Sequence, residues 1–123
     1  MSVPDHRPAL GRRGEDLAVA HLERLGYAVI ARNHRTRFGE IDVIACDGRT
    51  LAFVEVKTRR SASRSPLESV DEAKQAQVRR MAAAWLAEAH ERPRTRELRF
   101  DAIGVALDGA GRLVALEHVE GAF

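Results

Sequence analysis

GEIDVIACDGRTLAFVEVKTRR, residues 39–60, is the stretch that decides how this chain folds. It contains two apolar, β-branched runs, residues 40–45 and 51–58, with Asp47-Gly48 between them. Asp-Gly between two such runs is a strong hairpin signal, because glycine takes the positive φ that a tight turn needs. The segment therefore predicts two antiparallel strands. Side chains alternate along a strand, so Leu51, Phe53, Glu55 and Lys57 are expected on one face and Ala52, Val54 and Val56 on the other. In the first strand the same rule puts Glu40 and Asp42 on one face and Ile41, Val43 and Ala45 on the other. As many as three carboxylates and one lysine then converge near one end of the sheet, where their repulsion is costly unless a cation or a proton relieves it.

Working outward, Leu10, Leu17, Ala18, His21, Leu22 and Leu25 recur at the spacing of one helix face over residues 9–25, and Gly26 ends the helix. Residues 27–31 (YAVIA) form a short extended run, followed by a polar link bearing Arg32, Arg35 and Arg37. On the other side, residues 59–68 read as a loop with Arg59, Arg60 and Arg64. A second helix over residues 70–89 carries Val70, Val78, Met81, Ala82, Trp85 and Ala89 on one stripe. A basic link at 92–96 leads to a strand at 98–107, a turn at 108–111 and a last strand at 113–119. The order α-β-β-β-α-β-β implies an α/β fold with helices packed on the sheet. The connection from 51–58 to 98–107 contains a helix, so those two strands are expected to run parallel and the sheet to be mixed.

The 123 residues suit one domain, with residues 1–8 and 120–123 expected to be flexible. At 45% apolar residues the chain can build a core without disulfides or a structural metal. The single cysteine, Cys46, excludes an internal disulfide and a thiolate zinc cluster. With no apolar run near the ~20 residues that span a bilayer and no secretory-type start, a soluble, cytoplasmic protein is expected. Six aromatics leave few base-stacking platforms. Twenty basic against eighteen acidic residues give only mild attraction to polyanions. The basic set, however, is eighteen arginines and two lysines, Lys57 and Lys74, which singles those lysines out.

Asp and Glu on neighbouring strands, with no nearby His or Cys, are hard oxygen ligands suited to Mg²⁺ or Mn²⁺ and poorly suited to zinc. Such an ion usually completes its sphere with water and substrate phosphate, which fits phosphodiester chemistry, and Lys57 beside it could hold the attacking water and stabilise charge on phosphorus. Acids and a lysine ending a strand are also common surface decoration. Asp42 and Glu55, however, lie inside apolar runs, and buried charge is rarely kept without a partner.

Asp42, twelve intervening residues, then Glu55-Val56-Lys57 resembles the PD-(D/E)xK nuclease signature. The run 39–60, with Gly14-Glu15, Trp85-Leu86 and Arg99-Phe100-Asp101, is similar to the YraN-like family of small bacterial proteins within that superfamily. The resemblance implies a restriction-endonuclease-like mixed sheet related to archaeal Holliday-junction resolvases, and divalent-metal-dependent cleavage of nucleic acid. Asp42 follows Ile41 where the signature has proline. By this resemblance Asp42 and Glu55 are metal ligands, Lys57 is the catalytic base or water-orienting cation, and Glu15 matches an acid on the first helix; a homodimer is expected on the same ground. Without the resemblance, Glu15 can equally be an acid favoured by the helix dipole.

Lys74 stands in the stripe of the second helix, one turn before Val78, and either snorkels outward or serves as a supporting partner of Glu55 behind the metal or as a phosphate ligand. Gln77 is similarly placed. Glu40 is a weaker metal candidate. Asp101 reads as a strand-end charge pairing with an arginine rather than as a ligand. Arg35, Arg37, Arg59, Arg60 and Arg64 suit phosphate contacts that position a backbone, or form solvated loops. The five histidines show no metal-ligand spacing, and His21 is expected to pack in the first helix. The expectation is a Mg²⁺- or Mn²⁺-dependent endonuclease acting on nucleic acid, DNA first, possibly branched. The rival is a nucleic-acid-binding or scaffold protein of the same fold with little or no catalytic activity.

Overall fold

The computed structural model describes residues 9–60, 72–88 and 93–123. In chain order the elements are α1 (Ala9–Arg24), β1 (Ala28–Thr36), β2 (Gly39–Cys46), β3 (Thr50–Arg59), α2 (Glu72–Glu88), β4 (Glu97–Leu107) and β5 (Leu113–Val119). The expected α-β-β-β-α-β-β order holds, and the five strands form one mixed sheet in the order β1-β2-β3-β4-β5. β3 and β4 run parallel, as the intervening helix implied, and the other neighbours are antiparallel.

The hairpin forms where Asp47-Gly48 placed it. Gly48 takes φ +88°, and the Asp47 carboxylate accepts the N–H groups of Arg49 at 3.0 Å and Thr50 at 2.8 Å, closing the turn. Each face of the sheet carries one helix and one core. Ala18 and Leu22 of α1 pack on Val43, Ala45, Ala52, Val54, Ile103 and Val105. Val78, Met81, Ala82 and Trp85 of α2 pack on Ile41, Ile44, Leu51 and Phe53. On that second face Phe53 meets Trp85 edge-on at 5.8 Å and stacks with Phe100 at 5.6 Å, contacts worth about 0.5–1.5 kcal/mol each beyond area burial. Val70 and Ala89, assigned to the second helix's stripe, lie outside the described residues.

Two expectations are corrected. The polar link with Arg32 and Arg35 is strand: β1 runs on to Thr36 and pairs with β2 along its length, with a bulge between Val29 and Ala31. As an edge strand it can send arginines outward, so its sequence lacks the apolar alternation of a half-buried strand. The faces of β2 are not those of strict alternation. Ile41 joins Ile44 in the α2 core while Val43 and Ala45 join the α1 core, so the pattern slips by one residue around Asp42. The slip falls where β2 parts from β3, whose ladder ends at Val43↔Val54. At the C-terminal end Ala122 N–H donates to the Phe100 carbonyl at 2.8 Å and Phe123 packs against the α2 core. Among the described residues no helix is long and apolar enough to cross a membrane.

Candidate metal centre

The parting of β2 and β3 makes the site. Beyond Val43 the two strands no longer exchange backbone bonds, and the Asp42 side chain enters the gap, where its Oδ2 accepts the Val56 N–H at 2.7 Å. A side-chain oxygen thus replaces a strand partner for β3, and this fixes Asp42 beside Glu55.

α1 brings the next acid. Gly14 lets the helix lie directly on β3: a Cβ there would run into the Thr58 hydroxyl oxygen. That close approach lowers Glu15, 8% exposed, onto the sheet at the gap. One carboxylate oxygen each from Glu15, Glu40 and Asp42 then lie within 4.8 Å of one another. Glu40, the weaker candidate in the sequence, is a full member of this cluster. Its signal was present in the Glu-x-Asp spacing, but its approach to Glu15 depends on the slip in β2.

Glu55 stands beside the trio rather than in it. Its carboxylate, 12% exposed, pairs with Lys74 Nζ at 3.0 Å across from α2, so Lys74 takes the place of a partner for Glu55 that the sequence offered as one of its readings. The centre is reached from both layers, with Glu15 from α1 and Lys74 from α2. Lys57 is half-buried, two residues beyond Glu55 on β3, and lies opposite Gly104 in the β4 register, where no side chain crowds it from β4.

The electrostatics follow from this gathering. Burial pushes the Asp42 carboxyl up, the Glu55 and Glu15 charges push further, and the Val56 N–H and Lys74 only partly oppose them, leaving it at about 7. Three carboxylates with oxygens this close are a donor set that a hard divalent cation fits, with neither imidazole nor thiolate among them.

The remaining candidates separate. Gln77 donates to the Phe38 carbonyl at 2.8 Å and braces the β1–β2 turn; the Gly39 Cβ position is 2.6 Å from its amide nitrogen, so glycine is needed there. Arg35, 85% exposed, reaches Glu40 at 3.7 Å, and Arg37 lies over the Phe38 ring at 4.9 Å. Arg59 is half-buried at the end of β3 and Arg60 is exposed just past it; Arg64 lies outside the described residues.

Asp101 pairs with an arginine as expected, within a larger network the sequence did not reveal. Fully buried, it accepts Arg99 Nε at 2.8 Å and Nη2 at 2.9 Å, the Gly121 N–H at 3.1 Å, and His118 Nε2 at 2.9 Å. Arg99 also donates to the Tyr27 hydroxyl. His118 Nδ1 meets His21 Nε2 at 3.0 Å, so the expected packing of His21 includes a bond across 97 residues of sequence. Burial pushes the Asp101 carboxyl up, but the bonds from His118, Arg99 and Gly121 outweigh it and hold the group below its ordinary range.

Residues 14–105 match the model of a family described as "Uncharacterised protein family UPF0102". Similar proteins carry the same designation. One from Geobacter metallireducens is 43% identical, with 96% of this chain and 94% of that one covered. One from Acidothermus cellulolyticus is 46% identical, covering 95% of each. One from Pseudarthrobacter chlorophenolicus is 48% identical, covering 91% of this chain and 83% of the other.

Proposed function

The chain belongs to the UPF0102 family, and we propose that it is a divalent-metal-dependent nuclease, hydrolysing phosphodiester bonds in DNA or structured nucleic acid. The observation that carries this is the oxygen trio of Glu15, Glu40 and Asp42 within 4.8 Å, in a gap of the sheet beside Glu55. The pattern of Asp42, Glu55 and Lys57, which resembles the PD-(D/E)xK nuclease signature, supports the same reading.

Asp42, Glu15 and Glu40 would hold Mg²⁺ or Mn²⁺, with Glu55 near enough to Asp42 to press on its charge. Such an ion supplies positive charge at the scissile phosphate and a more acidic water. Lys57, two residues beyond Glu55 on β3, would orient the attacking water and meet charge developing on a phosphate oxygen. Lys74 holds Glu55 in one position, so that this carboxylate is pre-set rather than mobile. Arg37, Arg59 and Arg60, with Arg64 on the following stretch, would contact backbone phosphates and position a strand without reading bases.

The test is cleavage of branched, single-stranded and duplex DNA with Mg²⁺ or Mn²⁺ present. Ion-dependent cleavage is expected, with a loss of ~100-fold or more in Asp42→Asn and Lys57→Ala, the scale for removing a transition-state contact. No cleavage of any substrate, or variants that cut as well as the wild type, overturns the nuclease reading. Binding without cleavage would leave the nucleic-acid-binding alternative in its place.

A further inference from the structure

A second concave site lies beyond the end of β3, where the chain leaves the acidic gap. A cavity of about 280 Å³ is lined by Leu10 and Arg13 of α1, Arg60 after β3, and Leu107, Asp108 and Gly111 around the β4–β5 turn. Two arginines from separate parts of the chain thus line one hollow. The single acid on its wall is already compensated: Asp108 Oδ1 accepts the N–H groups of Ala110 and Arg112 at 2.9 Å each, and its other oxygen meets Arg112 Nε at 3.3 Å. Arg13 is pinned at the rim through Nε, which donates to the Gly111 carbonyl at 3.2 Å. The net character of the hollow is cationic, with an apolar floor from Leu10 and Leu107.

We propose that this cavity is a phosphate subsite of the nucleic-acid substrate, in which Arg13 and Arg60 grip a backbone phosphodiester to one side of the scissile bond. The proposal rests on the nuclease reading for its substrate class. Arg60 follows Lys57 by three residues, about 10 Å along an extended chain, so a strand crossing Lys57 passes the cavity within a few nucleotides. The planar fork of arginine suits a phosphate better than a lysine does. The two arginines fix where along the strand the acidic gap acts and contribute to affinity without touching the reacting atoms; they are positioning residues.

The test is binding of a fluorescent 20-nucleotide single strand and of its duplex by anisotropy, without added metal, across a series of KCl concentrations. Removing one arginine–phosphate pairing makes the slope of log K against log salt shallower by ~0.7 for single strands and ~0.9 for duplex. Arg13→Ala and Arg60→Ala are each expected to weaken binding several-fold and flatten the slope by about one such pairing, and the double variant by about two. Arg13→Lys should recover most of the slope, which a merely structural role for Arg13 would not explain. Arg96→Ala, exposed before β4 at the opposite end of the sheet, should leave it unchanged. Unaltered slopes in both cavity variants, or an equal flattening in Arg96→Ala, overturn the subsite. Cleavage of the same strand separates the two readings. Cleavage abolished in Asp42→Asn with unaltered slopes in the cavity variants sinks the subsite and spares the nuclease. Flattened slopes in the cavity variants of a protein that never cuts sink the nuclease and leave the subsite as a binding site.

Discussion

Two aspartates sit within this sheet and experience opposite fields. Asp42 lies in the gap between β2 and β3 with other carboxylates around it, and its carboxyl is pushed up to about 7. Asp101 is wholly buried on β4, yet it is held below the ordinary range because Arg99, His118 and the Gly121 N–H all donate to it. Burial alone does not decide the charge of a carboxylate; the supply of donors does. Where the chain means a charge to be structural it encloses it with partners from β4, β5 and the C-terminal turn. Where it gathers charge with fewer donors, as at Asp42, the carboxyl keeps its proton to higher pH.

The largest expected effect tests this contrast directly. Asp101→Ala leaves the Arg99 guanidinium, 17% exposed, and the His118 ring without their shared acceptor. It should cost about 3–5 kcal/mol, the scale for breaking one side of a buried ion pair, read by urea or thermal unfolding. Asp42→Asn keeps an acceptor for the Val56 N–H and removes one of the crowded charges, so in metal-free buffer at pH 8 it should stabilise the protein. A loss of stability in Asp42→Asn comparable to that in Asp101→Ala would show the two sites to be equivalent and erase the contrast.

How much of this could be read from the sequence follows the range of each interaction. The hairpin, the parallel pairing of β3 with β4 and both helices come from local patterns such as Asp-Gly and period two, whereas a lysine on a buried stripe left the partner of Lys74 open between Glu55, a phosphate and solvent. The slip of β2 at Asp42 is a tertiary event, because a strand alternates cleanly only while its neighbours hold it. Strict alternation therefore put Ile41 on the wrong face and left Glu40 a minor candidate. The β1 extension was missed because an edge strand facing solvent through Arg32 and Arg35 looks like a link. The Asp101, His118 and His21 chain joins α1, β4 and β5, and no spacing in the sequence announces it.

pH gives the next contrast. The Asp42 carboxyl in the folded protein holds its proton up to about 7, against 3.8 for the ordinary group. Between those values the unfolded chain has released a proton that the folded protein retains. The contribution of Asp42 is therefore greatest below the lower value and is lost as pH rises through about 7, by as much as about 4 kcal/mol in metal-free protein. Asp101 has the reverse sign: its contribution is present above the ordinary carboxylate value and fades only as pH falls below it. Unfolding midpoints of wild type and Asp42→Asn should converge near pH 4 and separate towards pH 8, with the variant the more stable. Parallel curves would refute the assignment.

Divalent cations should act on one region and leave the other alone. A cation bound to the folded protein at ten times its Kd adds about 1.4 kcal/mol, and its binding must displace the Asp42 proton at low pH. The rise in unfolding temperature with Mg²⁺ or Mn²⁺ should therefore be larger at pH 8 than at pH 6 and vanish in Asp42→Asn. In a variant of the other region, such as His21→Gln, it should persist. An equal rise in Asp42→Asn would mean that the ion binds elsewhere.

The smallest expected effect lies at the outer end of the Asp101 chain. An ionised carboxylate only accepts, so His118 Nε2 carries the proton shared with Asp101, and His118 Nδ1 shares a further hydrogen bond with His21 Nε2. His21→Leu removes that partner and leaves a nearly buried ring nitrogen unpaired, a loss of about 1 kcal/mol, which His21→Gln should partly restore. Burial, and then the neighbouring charges of His118 and Arg24, hold the His21 ring below its usual 6.5. The unfolded chain therefore takes up a proton first as pH falls, and the contribution of His21, full above 6.5, is lost as pH drops through the lower folded value. That slope opposes the one from Asp42 over part of the same range. Removing His21 should leave the Asp42 decline steeper between pH 5 and 7, and removing Asp42 should expose a rise. If neither single variant changes the slope in that range, the histidine chain is a packing contact without a charge preference.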